Sequence, residues 1–178
     1  MKIRYKLISV LLAILCILPF TSCKKQDEQQ ADEIKRAEFT NQSKMLSADG
    51  LSIIMDNEFE KQYSPDCALS CVNGDLTFEG FFFEKYYFTE KDKSVDSTHK
   101  ALQFVYMDKQ IKTNSLGMPC TEFTEVKNGI SYTFYYICIE DSERYWFCAF
   151  FSPTDSFDSY REKITEYLGT VNAVYEEQ

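Results

Sequence analysis

The residues with the most reactive side chains in this 178-residue chain are seven cysteines and one histidine. A single histidine, His99, excludes a metal site built on two or more histidines. A serine or cysteine nucleophile paired with histidine would also have to use His99. That residue stands in the first turn of a predicted helix, off its apolar stripe, where an exposed surface histidine is expected. The glycines, six in all, form no phosphate-binding loop.

Carboxylates are the other candidates for chemistry. Glu140-Asp141, and Asp56 with Glu58, could bind Ca²⁺ or act as acid and base. Neither spacing matches an EF-hand loop, and Glu140-Asp141 falls in a predicted hairpin turn, where such residues are favoured anyway. We therefore predict no cofactor, no metal site and no catalytic residue: the chain is not expected to be an enzyme.

The cysteine with the clearest chemical context is Cys23. Lys2, Arg4 and Lys6 form a basic start, and residues 7–20 are apolar except for Ser9. As a helix this run would cover about 21 Å, at about 1.5 Å per residue, which falls short of the ~30 Å hydrocarbon core of a bilayer. The run therefore predicts a signal peptide rather than a membrane span.

The residues after the apolar run predict the type of signal. Thr21 and Ser22 are small and precede Cys23, and a polar run comes next. This pattern resembles the lipobox of bacterial lipoproteins, although Phe20 departs from the leucine usual three positions before the cysteine. The resemblance implies cleavage before Cys23 and acylation of its thiol, for example with palmitate. The alternative is an ordinary secretory signal in which Cys23 is incidental.

Lipidation would place the domain on the extracytoplasmic face of the cell membrane. One acyl chain binds a bilayer only marginally, but a lipidated cysteine carries two or three. Removing residues 1–22 removes three cations and no acid, so the net charge changes from −9 to −12. Such an acidic chain is not expected to bind nucleic acid. The predicted partners are the membrane, through the anchor, and an envelope protein.

The remaining cysteines of the mature chain are odd in number, so at least one is unpaired. They are Cys67, Cys71, Cys120, Cys138 and Cys148. Cys67 and Cys71 lie too far apart for a bridge if their segment is a strand. Cys138 and Cys148 could face each other across a three-residue hairpin loop, whereas a four-residue loop would place Tyr145 opposite Cys138. The sequence leaves both registers open.

The chain divides into three parts. Residues 1–22 are the predicted signal peptide, residues 23–45 a polar tether, and residues 46–178 one globular domain. Within the domain, residues 47–50 predict a turn and residues 51–55 a first strand. Residues 58–61 predict a helical turn or loop, residues 67–72 a strand, and residues 76–88 an aromatic-rich strand segment with Gly80 as a possible bulge.

The C-terminal half carries stronger signals. Asp96 or Ser97 can cap a helix that runs to about residue 110. Asn128-Gly129 between β-rich runs predicts a hairpin joining residues 121–126 and 130–139, and residues 145–151 predict a further strand. Asp155 or Ser156 can cap a final amphipathic helix, with Gly169 as its C′ residue. Two helices and a sheet that is apolar on both faces predict an α+β sandwich, an antiparallel sheet covered on both faces.

The order of these elements resembles a known family. The relevant features are the Gly50-Leu51 opening, the internal Asn-Gly hairpin, the strand containing Tyr145-Trp146, and the closing helix that finishes at Gly169. Together they are similar to small Firmicutes-type lipoproteins with a PsbP-like/DcrB-like α/β/α domain, over residues 46–174. The resemblance implies a non-enzymatic accessory role and supplies no catalytic residue.

Aromatic residues predict a possible binding surface. The chain has fifteen phenylalanines and twelve tyrosines, most of them expected in the core, but residues 81–83 and 86–88 carry more apolar side chains than one buried face can hold. Phe82, Tyr86, Tyr87 and Trp146 are the candidate residues of a surface for a partner protein or an apolar ligand. We predict a membrane-anchored accessory or protein-binding domain of the cell envelope. The alternatives are a small-ligand-binding lipoprotein, and an enzyme that uses carboxylates or cysteines.

Overall fold

A computed structural model describes residues 42–175, which form ten strands and three helices. The predicted signal peptide, Cys23 and nearly all of the predicted tether lie outside the described residues. The elements are β1 (Ser43–Ala48), β2 (Leu51–Asp56), β3 (Glu60–Lys61), β4 (Leu69–Asn73), β5 (Leu76–Glu84), α1 (Lys85–Lys91), α2 (Thr98–Val105), β6 (Lys112–Thr113), β7 (Pro119–Lys127), β8 (Ile130–Glu140), β9 (Arg144–Pro153), α3 (Thr154–Leu168) and β10 (Asn172–Ala173).

Two antiparallel sheets organise these elements. The large sheet has seven strands in the order β3-β4-β5-β9-β8-β7-β6, so β9 lies at its centre. Most residues of β9 are buried, as expected for a central strand that is apolar on both sides. The small sheet pairs β1 and β10 with β2.

The inner face of the large sheet is covered by α3 and the small sheet. Trp146, Cys148 and Phe150 of β9 pack there, because alternate residues of a strand point to the same face. Ile53 of β2 and Ile164 of α3 belong to the same buried cluster. This cluster is the larger of the two hydrophobic cores of the described chain.

The outer face carries α1 and α2. Phe147 and Tyr145 of β9 and Cys138 of β8 pack with Phe88 of α1 and Leu102 of α2 in a second buried cluster. The predicted α+β fold, an antiparallel sheet covered on both faces, is therefore confirmed. None of the described helices has the length and apolarity needed to cross a membrane.

The final helix, α3, confirms its predicted apolar stripe. Phe157, Ile164 and Tyr167 are buried in the inner core. Its ends differ from the prediction. The N-cap is Pro153 rather than Asp155 or Ser156, and Gly169 is the C-cap in a right-handed conformation (φ −64°), not a left-handed C′ residue.

Helix α2 begins as predicted, because the Ser97 side chain accepts a hydrogen bond from the backbone N–H of Lys100. It ends at Val105 rather than near residue 110. The Asn128-Gly129 hairpin is confirmed by positive φ angles at both residues, 54° and 81°, and by the pairing of Lys127 with Ile130.

The predicted aromatic strand over residues 76–88 is too long. Strand β5 ends at Glu84, and Tyr86, Tyr87 and Phe88 belong to α1. Gly80 is not a bulge, because it pairs in regular register with Leu69 and Cys148. A Cβ at Gly80 would lie 2.2 Å from Leu51 Cδ2, so close packing of the small sheet explains the glycine.

The start of the domain also differs. Strand β1 begins at Ser43, three residues inside the predicted tether, and includes Ser47 and Ala48, which were expected in a turn. The turn itself is confined to Asp49-Gly50. Glu60 and Lys61 form the short strand β3 instead of a helical turn, and the strand expected from Cys67 begins at Leu69.

Candidate functional site

The outer face of the large sheet is left open over one half. Helices α1 and α2 cover the end near Phe147 and Cys138, whereas the rings of Phe134 and Phe151 lie outside their cluster. Here the surface forms a groove of about 430 Å³, which we call the sheet groove. Its lining residues are Gly74, Asp75, Thr77, Lys127, Asn128, Ile130, Tyr132, Phe134, Phe151 and Pro153.

Unequal strand lengths explain the shape of the sheet groove. The last pair between β5 and β9 is Thr77 with Phe151, whereas β8 continues its pairing with β9 to Tyr132 and Pro153. The β7–β8 hairpin then runs on to its tip at Asn128-Gly129. One wall is therefore the short β4–β5 turn and the other is a longer hairpin, with the sheet as the floor.

The floor of the sheet groove is aromatic. The rings of Phe134 and Phe151 stack with centroids 5.0 Å apart, and Phe123 stacks on Phe134 at 5.7 Å. Lys127 Nζ lies 4.5 Å from the centroid of Phe134, and Lys109 Nζ lies 4.9 Å from that of Phe123. Both distances are typical of a cation–π contact, so this stack of rings already attracts ammonium groups of the chain itself.

A half-buried carboxylate, Glu79, follows the aromatic floor. Glu79 stands two residues beyond Thr77 on β5 and pairs with Ala149 of β9, whose partner on β8 is Tyr136. Burial raises the pKa of the Glu79 carboxyl, while a hydrogen bond from Cys67 and the charge of Lys127 oppose the rise. None of the ion pairs formed among residues 42–175 at 4.0 Å or less includes Glu79.

Cys67 is the thiol that contacts this carboxylate, and its chemistry is that of a neutral group. Burial raises the pKa of the Cys67 thiol, and the nearby Glu79 and Asp66 charges raise it further, against a lowering hydrogen bond with Ser64. The thiolate is the nucleophilic form, so an elevated pKa makes Cys67 a poor nucleophile. The pair therefore suits binding better than covalent catalysis.

The four residues predicted as a partner surface do not share one. Trp146 is fully buried, and Phe82 is half-buried against it on the inner face, with ring centroids 4.8 Å apart. Tyr86 and Tyr87, in contrast, are 64% and 39% exposed on α1, which packs on the outer face. The prediction that Trp146 and Phe82 belong to an exposed surface with these tyrosines is wrong.

Trp146 is buried because its polar edge has a partner. Its indole Nε1 donates to Asp141 Oδ2 at 2.9 Å, and Arg144 Nε donates to the same oxygen at 3.0 Å. Asp141 Oδ1 accepts the backbone N–H groups of Glu143 and Arg144. Asp141 thus organises the β8–β9 turn, as predicted, whereas Glu140, which was expected in the same turn, is the last residue of β8 and pairs with Tyr145.

The described cysteines are all free thiols. Glu140 pairs with Tyr145 around a four-residue loop, which places Phe147 opposite Cys138 and Cys148 opposite Ile137, so Cys138 faces neither Cys148 nor Tyr145. This offset by one residue places Cys138 on the outer face and Cys148 on the inner face, where they cannot bridge. Burial raises the pKa of the Cys148 thiol to about 12.

The other residues considered for catalysis or metal binding do not form a site within the described part of the chain. His99 is exposed on the first turn of α2, as predicted. Within residues 42–175, no group of three or more His, Cys, Asp or Glu side chains is arranged to hold a metal ion. Cys23, the predicted lipid attachment site, lies outside the described residues.

Comparisons with known proteins identify similar folds. No protein-family model matches the sequence, and no curated protein matches it. A crystal structure from Bacteroides thetaiotaomicron VPI-5482 is similar, with a TM-score of 0.52 and 13% identity, over 77% of this chain and 50% of that chain. This chain thus spans about half the length of that protein. The solution structure of cyanobacterial PsbP (CyanoP) from Synechocystis sp. PCC 6803 is similar with a TM-score of 0.42 and 10% identity, over 74% and 92% of the two chains.

Proposed function

We propose that this chain is a lipid-anchored, extracytoplasmic binding domain without catalytic activity, which presents the sheet groove to a partner protein of the cell envelope. The observation that carries the binding role is the aromatic floor of the groove, left open between two hairpins. Tyr132 and Phe151 are half-exposed there, whereas Phe134 is buried. Half-exposed rings with a polar rim are the composition of protein-binding hot spots. The lipobox-like residues before Cys23 support the anchor.

The resemblance of residues 46–174 to PsbP-like/DcrB-like lipoproteins supports the same role, because known members of that fold are accessory proteins. A small-ligand-binding lipoprotein is the second candidate. The observation in its favour is the groove volume of about 430 Å³, which falls in the range of about 300–1,000 Å³ typical of small-molecule sites. The mixed, open lining favours a protein segment over an enclosed ligand.

The anchor is tested by replacing Cys23 with alanine in a bacterium that processes lipoproteins. We expect wild-type protein to sediment with membranes and the Cys23→Ala variant to be released, because the acyl chains would be lost. Cys67→Ala, which changes a cysteine of the domain, is the matched control and should stay attached. Intact mass of the purified protein should show acylation at residue 23. Attachment of the Cys23→Ala variant to membranes would contradict the anchor.

The binding role is tested by cross-linking in membranes, with the products compared between variants by mass spectrometry. Tyr132→Ser removes a half-exposed ring from the groove, and we expect it to lower the yield of the main cross-linked product at least about fivefold, as for loss of a hot-spot aromatic residue. Tyr86→Ser is the control, since Tyr86 is an exposed tyrosine of α1. If Tyr86→Ser abolishes the product and Tyr132→Ser does not, α1 is the interface and the groove is not.

A further inference from the structure

Strand β7 has an open edge over most of its length. Its neighbour on that side, β6, pairs only with Pro119 and Cys120, whereas β7 continues to Lys127. The last four residues of β7 are exposed. An open edge of this kind offers backbone N–H and C=O groups to another extended chain.

The hairpin fixes which backbone groups point outward. Lys127 and Ile130 flank the two-residue turn, so they form a hydrogen-bonded pair. Bonded and non-bonded pairs alternate along an antiparallel ladder, so Glu122, Thr124 and Val126 direct their N–H and C=O groups away from β8. Among the hydrogen bonds formed outside the ladders by residues 42–175, none reaches the backbone of these three residues.

Other strand edges of the domain are covered by its own side chains. Lys61 Nζ donates to the backbone oxygen of Ser47 on β1 at 2.6 Å. Thr170 Oγ1 accepts the backbone N–H of Ile54 on β2 at 2.9 Å. The described chain supplies no such contact to the outward groups of β7, which are therefore available to a second chain.

We infer that β7 pairs with β7 of a second copy of this chain, antiparallel about a two-fold axis, with Val126 opposite Val126. The inference adds a self-association to the proposed function and rests on the proposed anchor. So short a pairing buries too little surface to hold two copies together in dilute solution. Attachment to one membrane would raise the effective concentration of the copies and favour the pair.

The side chains of β7 select this register. Charges on an edge strand usually discourage pairing, but here Glu125 lies opposite Lys127 of the second copy, and by symmetry the same pair forms again. A register centred on Glu125 would instead oppose like charges. A register centred on Thr124 would bring the turn of the second copy against Lys112, which already pairs with Cys120.

The centre of the pairing is apolar. Val126 is 71% exposed in the single chain. Opposite its counterpart, it would remove apolar surface from water in both copies. The same side chain therefore has more to gain from a second copy than from solvent.

The test is disulfide cross-linking of the full chain in membranes, with copper phenanthroline as oxidant and non-reducing gels as the readout. All variants carry Cys67→Ala, which removes the half-buried native thiol and should itself give no covalent dimer. We expect Val126→Cys to cross-link, because the Cα atoms of a directly opposed bonded pair lie about 5.5 Å apart, within the span of a disulfide.

Thr124→Cys is the matched control, exposed on the same strand. In the inferred register, the two copies of residue 124 are offset by about 13 Å along the strands. The yield of covalent dimer should therefore be at least about fivefold lower than with Val126→Cys.

Charge reversal tests the same register. In the Val126→Cys variant, Glu125→Lys would oppose lysines and should lower the yield of dimer at least about fivefold. Adding Lys127→Glu restores opposite charges and should restore the yield. A general loss of structure caused by Glu125→Lys would not be rescued in this way.

Three outcomes would overturn the inference: equal yields from Val126→Cys and Thr124→Cys, a yield that charge reversal does not change, or no dimer at all. Sedimentation of the same samples measures attachment to membranes separately. Attached protein that gives no dimer would leave the proposed anchor standing. Protein found only in the supernatant would contradict the anchor itself, and with it the local concentration that the pairing requires.

Discussion

Replacing Asp141 by alanine should lower the free energy of unfolding by about 3–5 kcal/mol, the cost of leaving a buried charge without its partner. Asp141 and Arg144 are both buried, and Arg144 Nε donates to Asp141 Oδ2 at 3.0 Å. The substitution would also leave the indole N–H of Trp146 without an acceptor in the core. Urea denaturation at pH 7 would measure the loss as a lower midpoint.

The expected loss of stability in Asp141→Ala is large because Arg144 cannot move to solvent without losing its other contacts. Its Nη1 donates to the backbone oxygen of Asp49 at 3.1 Å, and its guanidinium lies 4.7 Å from the ring centroid of Phe82. Asp158→Ala is the matched control, because Asp158 pairs with Arg161 in an exposed ion pair and should cost less than about 1 kcal/mol. Equal effects of the two substitutions would contradict the special role of Asp141.

The same contact predicts a dependence on pH. Burial raises the pKa of Asp141, but hydrogen bonds from Trp146, Glu143 and Arg144 and the charge of Arg144 outweigh it, so the pKa lies below the ordinary value of 3.8. A carboxylate with a lowered pKa in the folded state stabilises above its unfolded pKa, and that contribution is lost as the pH falls through the folded value. The difference between wild type and Asp141→Ala should therefore stay constant from about pH 5 to 8 and shrink below about pH 3.8.

Local signals account for the parts of the fold that the sequence predicts well. The Asn128-Gly129 turn depends on two residues that tolerate positive φ, and the apolar stripe of α3 depends on helical spacing within fifteen residues. Both patterns are complete within one short segment. They are therefore readable without knowledge of the rest of the chain.

Elements that depend on distant partners are predicted less well. Strand β1 has only one buried residue, Leu46, and gains its strand conformation by pairing with β2. The aromatic run after Phe83 is compatible with either a strand or a helix. The segment becomes helix α1 because Phe88 packs in the outer core, where it contacts the rings of Tyr145 and Phe104.

The candidate site required the three-dimensional structure for the same reason. The sheet groove arises from unequal lengths of strands far apart in sequence, with Thr77 and Tyr132 on opposite sides of β9. The surplus of aromatic residues placed Trp146 among the candidate surface residues, although Asp141 satisfies its indole in the core. Glu79 carries no sequence signal, because its half-buried position follows from pairing with Ala149 at the centre of the sheet.

Replacing Gly50 by alanine should lower the free energy of unfolding by about 2–4 kcal/mol. Gly50 has φ +94°, where a Cβ costs about 1 kcal/mol or more, and displacement of packed atoms adds about 1–3 kcal/mol. The displacement is required because a Cβ would lie 2.1 Å from the backbone oxygen of Val174. It would break the hydrogen bond from the Val174 N–H to Gly50 O, and with it the docking of β10.

Gly129→Ala is a matched control for this prediction. Gly129 also lies in a hairpin turn, with φ +81°, but an added Cβ there would meet no atom within 4 Å. It should therefore cost only the conformational term of about 1 kcal/mol. Thermal and urea unfolding of the two variants separate the cost of backbone strain from the cost of the contact between the added Cβ and Val174 O. Equal losses of unfolding free energy in the two variants would show that Val174 adjusts freely.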